Sequence, residues 1–325
     1  MTRRKKKGHN IMNVIKNWSI SILLACVMFA GLQCCGNTSS LKFIQLSDTH
    51  FYTGTDNTTY KMIGRSGELL DDAISQINET PNIDFVIFTG DLIDKPFEKE
   101  LSAFLPYTEK LNAPWYFAFG NHDTMVGGYL NPKLYIELVN KYNKNYKFEK
   151  TYYSFVPKKG YKAIVLDSII RDHLTSNGQI GEEQLAWLDN EIKNSPKDTI
   201  LIFMHIPVLE PFNSPNHRLL DSDKVEEILN KYKNPIAVFQ GHYHIAKITQ
   251  KGNIVYVNCP SMVTYPNSFR MVTINNYRNK VVIDVQEKET RLKDIQKLAK
   301  LLIFSSNFYL GEDKDRNAVI TIKKR

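Results

Sequence analysis

From residue 41 onward the hydrophobic and polar positions fall into short blocks of changing period. Residues 41–46 begin by alternating and then fill with apolar side chains, which predicts a strand ending at Ser47-Asp48-Thr49-His50. From Glu68 the residues Leu69, Leu70, Ala73, Ile74 and Ile77 recur at helical spacing, and Pro81 closes that helix. Residues 83–89 read as a strand ending at Gly90-Asp91. Residues 97–111 read as a helix with Pro106 as a kink or break. Pro114 opens a buried strand over 115–119, which ends at Gly120-Asn121-His122-Asp123.

A helix over 132–142 comes next, then two strands over 151–156 and 161–166 joined at Lys158-Lys159-Gly160. The helix over 182–193 carries Leu185, Trp187, Leu188 and Ile192 as its apolar residues. A strand over 199–204 ends at His205-Ile206-Pro207, a helix covers 224–232, and a strand over 236–239 ends at Gln240-Gly241-His242-Tyr243-His244. Short strands over 245–250, 254–258, 271–274 and 281–285 turn at Lys251-Gly252-Asn253 and at Asn275-Asn276. A helix over 289–302 and a strand over 318–322 complete the pattern. Strands alternating with helices predict a layered α/β protein. No internal repeat or low-complexity linker divides it, so one domain is the simpler reading.

Composition changes the picture mainly at the N-terminus. At 325 residues and 42% hydrophobic, the chain has material for a substantial core. The net charge of +8 is concentrated: Arg3, Arg4, Lys5, Lys6, Lys7 and Lys16 precede residue 35 with no acid among them. The remainder is nearly balanced, which argues against a nucleic-acid-binding surface. The basic start is followed by an apolar run over 20–32 and then by Gln33-Cys34-Cys35-Gly36-Asn37. That order matches a secretory signal, and the run is shorter than the roughly 20 residues that span a bilayer. Residues 1–35 are therefore expected to be a signal peptide or membrane anchor. They resemble a bacterial lipoprotein signal, in which Leu23-Leu24-Ala25-Cys26 fits the motif best and Cys35 is better placed. This implies an exported, membrane-anchored protein of the bacterial envelope or cell surface. Only Cys259 remains in the body, so no internal disulfide is possible there.

Candidate chemistry sits at the ends of five predicted strands: Asp48 with His50, Asp91, Asn121 with His122, His205, and His242 with His244. In each the apolar run comes first and the polar group follows, the arrangement that gathers active sites along one edge of a layered sheet protein. Spacing of i and i+2 lets Asp48/His50 and His242/His244 each aim two groups one way. Mixed imidazole, carboxylate and amide ligands suit divalent Mn, Fe, Zn or Co. Seven ligands exceed one tetrahedral site. They suit two ions sharing a carboxylate, a pair about 4 Å apart that clamps a phosphoryl group and generates hydroxide at neutral pH.

In order along the chain, Asp48-Thr49-His50, Gly90-Asp91, Gly120-Asn121-His122-Asp123, His205 and Gly241-His242-Tyr243-His244 resemble the calcineurin-like metallophosphoesterase family over about residues 41–286. The resemblance implies a four-layer αββα sandwich, two mixed β-sheets flanked by helices, with residues 287–325 as a C-terminal helix and strand packed on it. It implies one metal bound by Asp48, His50 and His244, a second bound by Asn121, His205 and His242, and Asp91 bridging both. A hydroxide between the ions would attack phosphorus. His122 would serve the leaving-group oxygen, and Asp123 would hydrogen-bond His122 and fix its proton. Residues 181–188 also resemble a helix of phosphodiesterase-like members, as well as being a helix that packs its Leu and Trp.

The activity implied is a phosphodiesterase acting on a small phosphoester. The alternatives are a phosphomonoesterase on the same site, or a non-catalytic exported binding protein that retains the fold. A tyrosinate-iron site of the purple acid phosphatase kind is disfavoured, because Asp94 stands where that Tyr would be. His173 and His217 read as surface or loop histidines. Arg171, Arg218 and Arg270 are each within the chemistry of phosphate binding but read more simply as solvated. The charged stretch over 287–300 reads as a helix face.

Overall fold

The computed structural model describes residues 39–124 and 128–324; the predicted signal segment lies outside the described residues. Among the described residues twelve strands form two six-stranded mixed sheets. In the first, β1 (Ser39–Leu46), β2 (Phe85–Thr89) and β3 (Trp115–Ala118) run parallel. β10 (Ser268–Asn276), β11 (Lys280–Glu289) and β12 (Ala318–Lys323) continue it antiparallel, giving the order β12-β11-β10-β1-β2-β3. In the second, β5 (Tyr161–Val165), β6 (Thr199–Phe203), β7 (Ile236–Gln240) and β9 (Ile254–Asn258) are parallel. β4 (Tyr153–Phe155) and β8 (Lys247–Lys251) close its edges antiparallel.

The parallel strands explain the uninterrupted apolar runs. β2, β6, β7 and β9 are buried at every position, as strands covered on both faces must be. One face of each sheet meets the other sheet through aromatic rings. Phe43 of β1 stacks on Phe85 at 4.8 Å and meets Phe203 and Phe239 of the second sheet edge-on at 5.5 and 5.0 Å. Such offset and edge-to-face pairs add to the free energy of burying the rings. Helices flank the sheets: α1 (Ser66–Glu79), α2 (Glu98–Thr108) and α3 (Pro132–Tyr142) follow strands of the first, α4 (Glu182–Lys193) and α5 (Ser222–Lys231) those of the second. The sandwich of two mixed sheets flanked by helices is thus present.

Several predicted boundaries move. Pro106 lies inside α2 without breaking it, two residues before the helix ends. β10 runs through Asn275 and Asn276, so the hairpin turn falls at 277–279. β11 extends to Glu289 because it pairs with β10 on one side and, over its first part, β12 on the other. Helix α6 (Lys293–Leu302) therefore begins four residues later than the pattern predicted, and Glu287 to Glu289 belong to a strand. Two short helices, α7 (Ser306–Leu310) and α8 (Asp313–Arg316), had no periodic signal because each is under two turns. Among the described residues no helix is long and apolar enough to cross a membrane.

Candidate metal centre

Five parallel strands, three from the first sheet and two from the second, deliver their carboxyl ends to one place. Main-chain bonds join these ends: Asp48 N donates to Gly90 O (3.0 Å), His50 N to Asp91 O (2.9 Å) and Gly241 N to His205 O (3.0 Å). His242 N donates to Asp48 Oδ2 at 3.1 Å, which ties one sheet's loop to the other's.

The backbone itself is unusual here. Of seven described non-glycine residues with positive φ, five are Asp48 (52°), His50 (37°), Asp91 (50°), His242 (71°) and His244 (56°). Left-handed conformations cost energy for such residues and gather at functional sites. The paired ligands at i and i+2 thus share a direction through two left-handed residues, and not through extended chain. Gly120 has a different reason to be glycine from the turn expected of it. A Cβ there would stand 2.1 Å from the main-chain N of Asp91, so the residue is needed for close approach of two loops.

Among the described residues three ligand groups result. Asp48, His50 and His244 form one, Asp91, His205 and His242 the second, and His50, Asp91 and His122 the third, each with its ligating atoms within 4.8 Å of one another. In the first, His244 Nε2 lies 3.2 Å from Asp48 Oδ1 and 3.3 Å from His50 Nε2. In the second, His205 Nε2 lies 3.3 Å from Asp91 Oδ2, 3.2 Å from Asn121 Oδ1 and 3.2 Å from His242 Nδ1. Asp91 Oδ2 is also 3.5 Å from His50 Nε2, so its carboxylate stands between the groups. All seven predicted ligands are buried.

Hydrogen bonds from their far nitrogens orient the His205 and His244 rings. A carbonyl only accepts, so His205 Nδ1–H donates to Thr89 O (2.8 Å) and its Nε2 faces the cluster. His244 Nδ1 meets Thr264 Oγ1 at 2.9 Å, and His50 Nδ1 lies 3.2 Å from Asp94 Oδ1. The residues fit divalent cations. Asp48 Oδ1 is buried without a hydrogen-bond donor, and imidazole nitrogens converge on it and on each other. A proton satisfies one such contact; a cation satisfies the set.

Electrostatics report the same convergence. Burial alone would lower His205, but Asp91, then Asp48 and the Thr89 carbonyl, outweigh it and push His205 up to about 9. Burial and then His205 hold His242 well below its ordinary value, and burial and then Lys61 do so for His50. Burial disfavours the Asp91 carboxylate, yet His205 and His122 hold it well below the usual range.

His122, of the third group, is the partly exposed member of the set, with 26% of its side chain accessible. Its Nδ1–H donates to the main-chain carbonyl of Asp94 at 2.7 Å, leaving Nε2 free. The predicted Asp123–His122 hydrogen bond is not how these residues are used. Asp123 Oδ1 accepts from Leu92 N, Ile93 N and Tyr135 Oη (2.9, 3.2 and 3.2 Å), and Oδ2 from Gly120 N at 2.8 Å. Its carboxylate is consumed in bracing the loop after Asp91, and burial and then Asp91 push its pKa up to about 7.

A cavity of about 400 Å³ opens over the cluster. Its lining adds residues that sequence reasoning missed. His217, an exposed loop residue as expected, also lines the cavity, with its ring 5.3 Å from that of His242. Lys61, a lone lysine in a polar loop with no local signal, places Nζ 3.1 Å from His50 Nε2. Tyr60, Phe212 and Tyr309 also line it. His173 is exposed beside Asp172, as expected. Arg270 is not solvated but fully buried, with Nη2 donating to Asn258 O at 3.1 Å. Arg171 pairs with Asp167 (2.8 Å) and donates to Thr124 Oγ1 (2.8 Å), bracing the turn after Asp123.

Residues 41–246 match the calcineurin-like phosphoesterase family. A probable glycerophosphodiester phosphodiesterase of Arcobacter nitrofigilis is 27% identical over 222 residues, covering 67% of this chain and 77% of its own. A 3′,5′-cyclic adenosine monophosphate phosphodiesterase of Haemophilus influenzae is 24% identical over 209 residues, 63% of this chain and 70% of its own. A manganese-dependent ADP-ribose/CDP-alcohol diphosphatase of Oryza sativa is 28% identical over 223 residues, 54% and 67% of the two chains. Among solved structures, a dimetal phosphatase from Danio rerio superposes with a TM-score of 0.61 at 16% identity, over 88% of this chain and 99% of that one. That likeness bears on the fold alone.

Proposed function

This chain belongs to the calcineurin-like phosphoesterase family, and from that premise we propose that it hydrolyses small phosphodiesters with His122 as the acid at the leaving group. It is a phosphoester hydrolase that uses two divalent metals. Asp48, His50 and His244 would hold one metal and Asn121, His205 and His242 the other, with Asp91 shared. When bound, the pair supplies Lewis acidity and lowers the pKa of water. The observation that carries this reading is the position of the Asp91 carboxylate, within 3.5 Å of His50 and 3.3 Å of His205.

The chain's own residues then have separate tasks. The Asp94 carbonyl fixes a proton on His122 Nδ1, so Nε2 is the nitrogen left to give a proton to the departing oxygen. Water adds its oxygen to phosphorus and releases a proton to solvent, the bond to the ester oxygen breaks, and that oxygen leaves as an alcohol with the proton from His122, which regains one from solvent. Lys61 places an ammonium beside the first group, where it would attract the phosphate's charge. A cavity of about 400 Å³ is large enough for a substrate with two ester arms, which supports a diester. The glycerophosphodiester and cyclic-nucleotide relatives support the same choice.

Hydrolysis of bis-p-nitrophenyl phosphate against p-nitrophenyl phosphate, with Mn added and then chelated, tests the reading. Faster turnover of the diester, lost on chelation, is expected. Preference for the monoester would favour a phosphomonoesterase, and no turnover of either by metal-loaded protein would overturn the assignment. The basic-then-apolar order of residues 1–35 further supports export and anchoring at a membrane. Detergent partitioning of the full chain, and its loss when Cys26, Cys34 and Cys35 are all changed to Ser, is the corresponding test.

A further inference from the structure

Residues 306–311 lie beyond the stretch that matches the family, 41–246, yet they reach the metal centre. α7 puts Tyr309 into the lining of the cavity. The segment is tied down on both sides of that residue. Ala246 N, two residues after His244, donates to Tyr309 O at 3.2 Å. Gly311 follows with φ +72°, and a Cβ there would stand 2.4 Å from Ala246 O, so only glycine lets the chain pass this close. Beyond it, the Asp315 carboxylate accepts from Ile248 N (3.2 Å) and Lys247 Nζ (3.1 Å). Arg270, fully buried, donates to the carbonyls of Asp315 and Arg316, both at 2.7 Å. Tyr309 is therefore part of a fixed wall.

The wall continues as a series of rings. Phe308 meets Phe212 at 5.0 Å, and Phe212 meets Tyr243 at 4.9 Å. Tyr60, 40% exposed, lines the same cavity, with its ring 6.5 Å from that of His244. A large aromatic side chain left that accessible beside buried ligands does little for the core. Besides the rings and the ligand cluster, the lining is polar: Lys61, Ser176, Ser214 and His217. That mixture disfavours an acyl chain and suits a planar, hydrogen-bonding ring.

We propose that Tyr309 and Tyr60 form an aromatic slot over the metal centre that holds a nucleobase carried on one arm of the substrate, so that the substrates are nucleoside phosphodiesters. This rests on the phosphodiesterase reading and adds to it a specificity element from the C-terminal segment.

The test compares two diesters with the same leaving group, thymidine 5′-phosphate p-nitrophenyl ester and methyl p-nitrophenyl phosphate, in the Mn-loaded full chain. The wild type should favour the thymidine ester through KM. Tyr309→Ala should lower the ratio of the two kcat/KM values about tenfold or more, chiefly through KM, and Tyr309→Phe should restore it, since the ring face is what stacks. Calorimetric binding of thymidine 5′-monophosphate, with inorganic phosphate as reference, reads the slot independently of turnover. Its affinity should fall in Tyr309→Ala while that for phosphate changes less. If Tyr309→Ala does not fold, Tyr60→Ala, on an exposed loop, carries the same expectations. No preference for the thymidine ester together with no preference for the nucleotide over phosphate overturns the slot, as does an unchanged ratio and affinity in the variant. Tyr309-dependent nucleotide binding without hydrolysis would leave the slot standing and overturn the phosphodiesterase reading instead.

Discussion

His122 and Asp94 are joined by a hydrogen bond from the imidazole Nδ1–H to the main-chain carbonyl, 2.7 Å long. The bond leaves His122 Nε2 as the only nitrogen able to exchange a proton with substrate, and it does so without using a carboxylate. Asp123, adjacent in sequence, is turned the other way, into the loop that carries Asp91.

His122→Ala and Asp123→Ala should therefore fail differently. Loss of a general acid is expected to cut kcat roughly 10²- to 10⁴-fold, with both metals still bound. The loss should be larger for an alkyl than for a p-nitrophenyl leaving group, because the latter departs without a proton. Asp123→Ala instead strands several buried donors, for a stability loss of about 1.5–3 kcal/mol. Steady-state kinetics, metal analysis and denaturant unfolding of both variants separate the two. Metal loss in His122→Ala would show that it is a ligand.

Metal binding should compete with a proton on His205. Its pKa in the metal-free protein is raised to about 9, so the imidazole is protonated at pH 7 and must lose that proton to ligate. Apparent affinity for Mn should rise with pH up to about 9, with proton release measurable by titration in two buffers of different ionisation enthalpy. The sign for stability is opposite. A raised His pKa contributes stability that is fully present below about 6.5 and is lost as pH climbs through about 9. Thermal midpoints of chelated protein should fall across that window and recover on adding Mn.

Arg270→Ala should loosen the C-terminal wall. Its guanidinium caps the carbonyls of Asp315 and Arg316 from a fully buried position. Losing charge-assisted bonds of this kind costs about 1.5–3 kcal/mol. A lowered thermal midpoint with earlier proteolysis near residues 303–317 is the expected result; unchanged protease sensitivity would show that the segment is held by other means.

Phe43→Ala tests how the two sheets are joined. The ring is fully buried and touches Phe85, Phe203 and Phe239. Truncating a core phenylalanine typically costs about 3–5 kcal/mol, read as a lower denaturant midpoint.

The sequence by itself determined the strands and the groups at their ends. An apolar run and the polar residue that follows it are local facts, and five of them in fixed order leave few folds that bring all to one edge. It could not determine which neighbours those groups would find. Asp123 accepts from residues about thirty positions away, Lys61 meets His50 across a loop, the exposed His217 stands beside His242, and Arg270 caps a helix 45 residues on. None of these contacts has a periodic signature, because periodicity records which face of an element is buried and not what it meets there. The short helix that brings Tyr309 to the cavity has fewer than two turns and shows no pattern at all. Its place is set by Gly311, Ala246 and Arg270, which are near one another only after both sheets have formed.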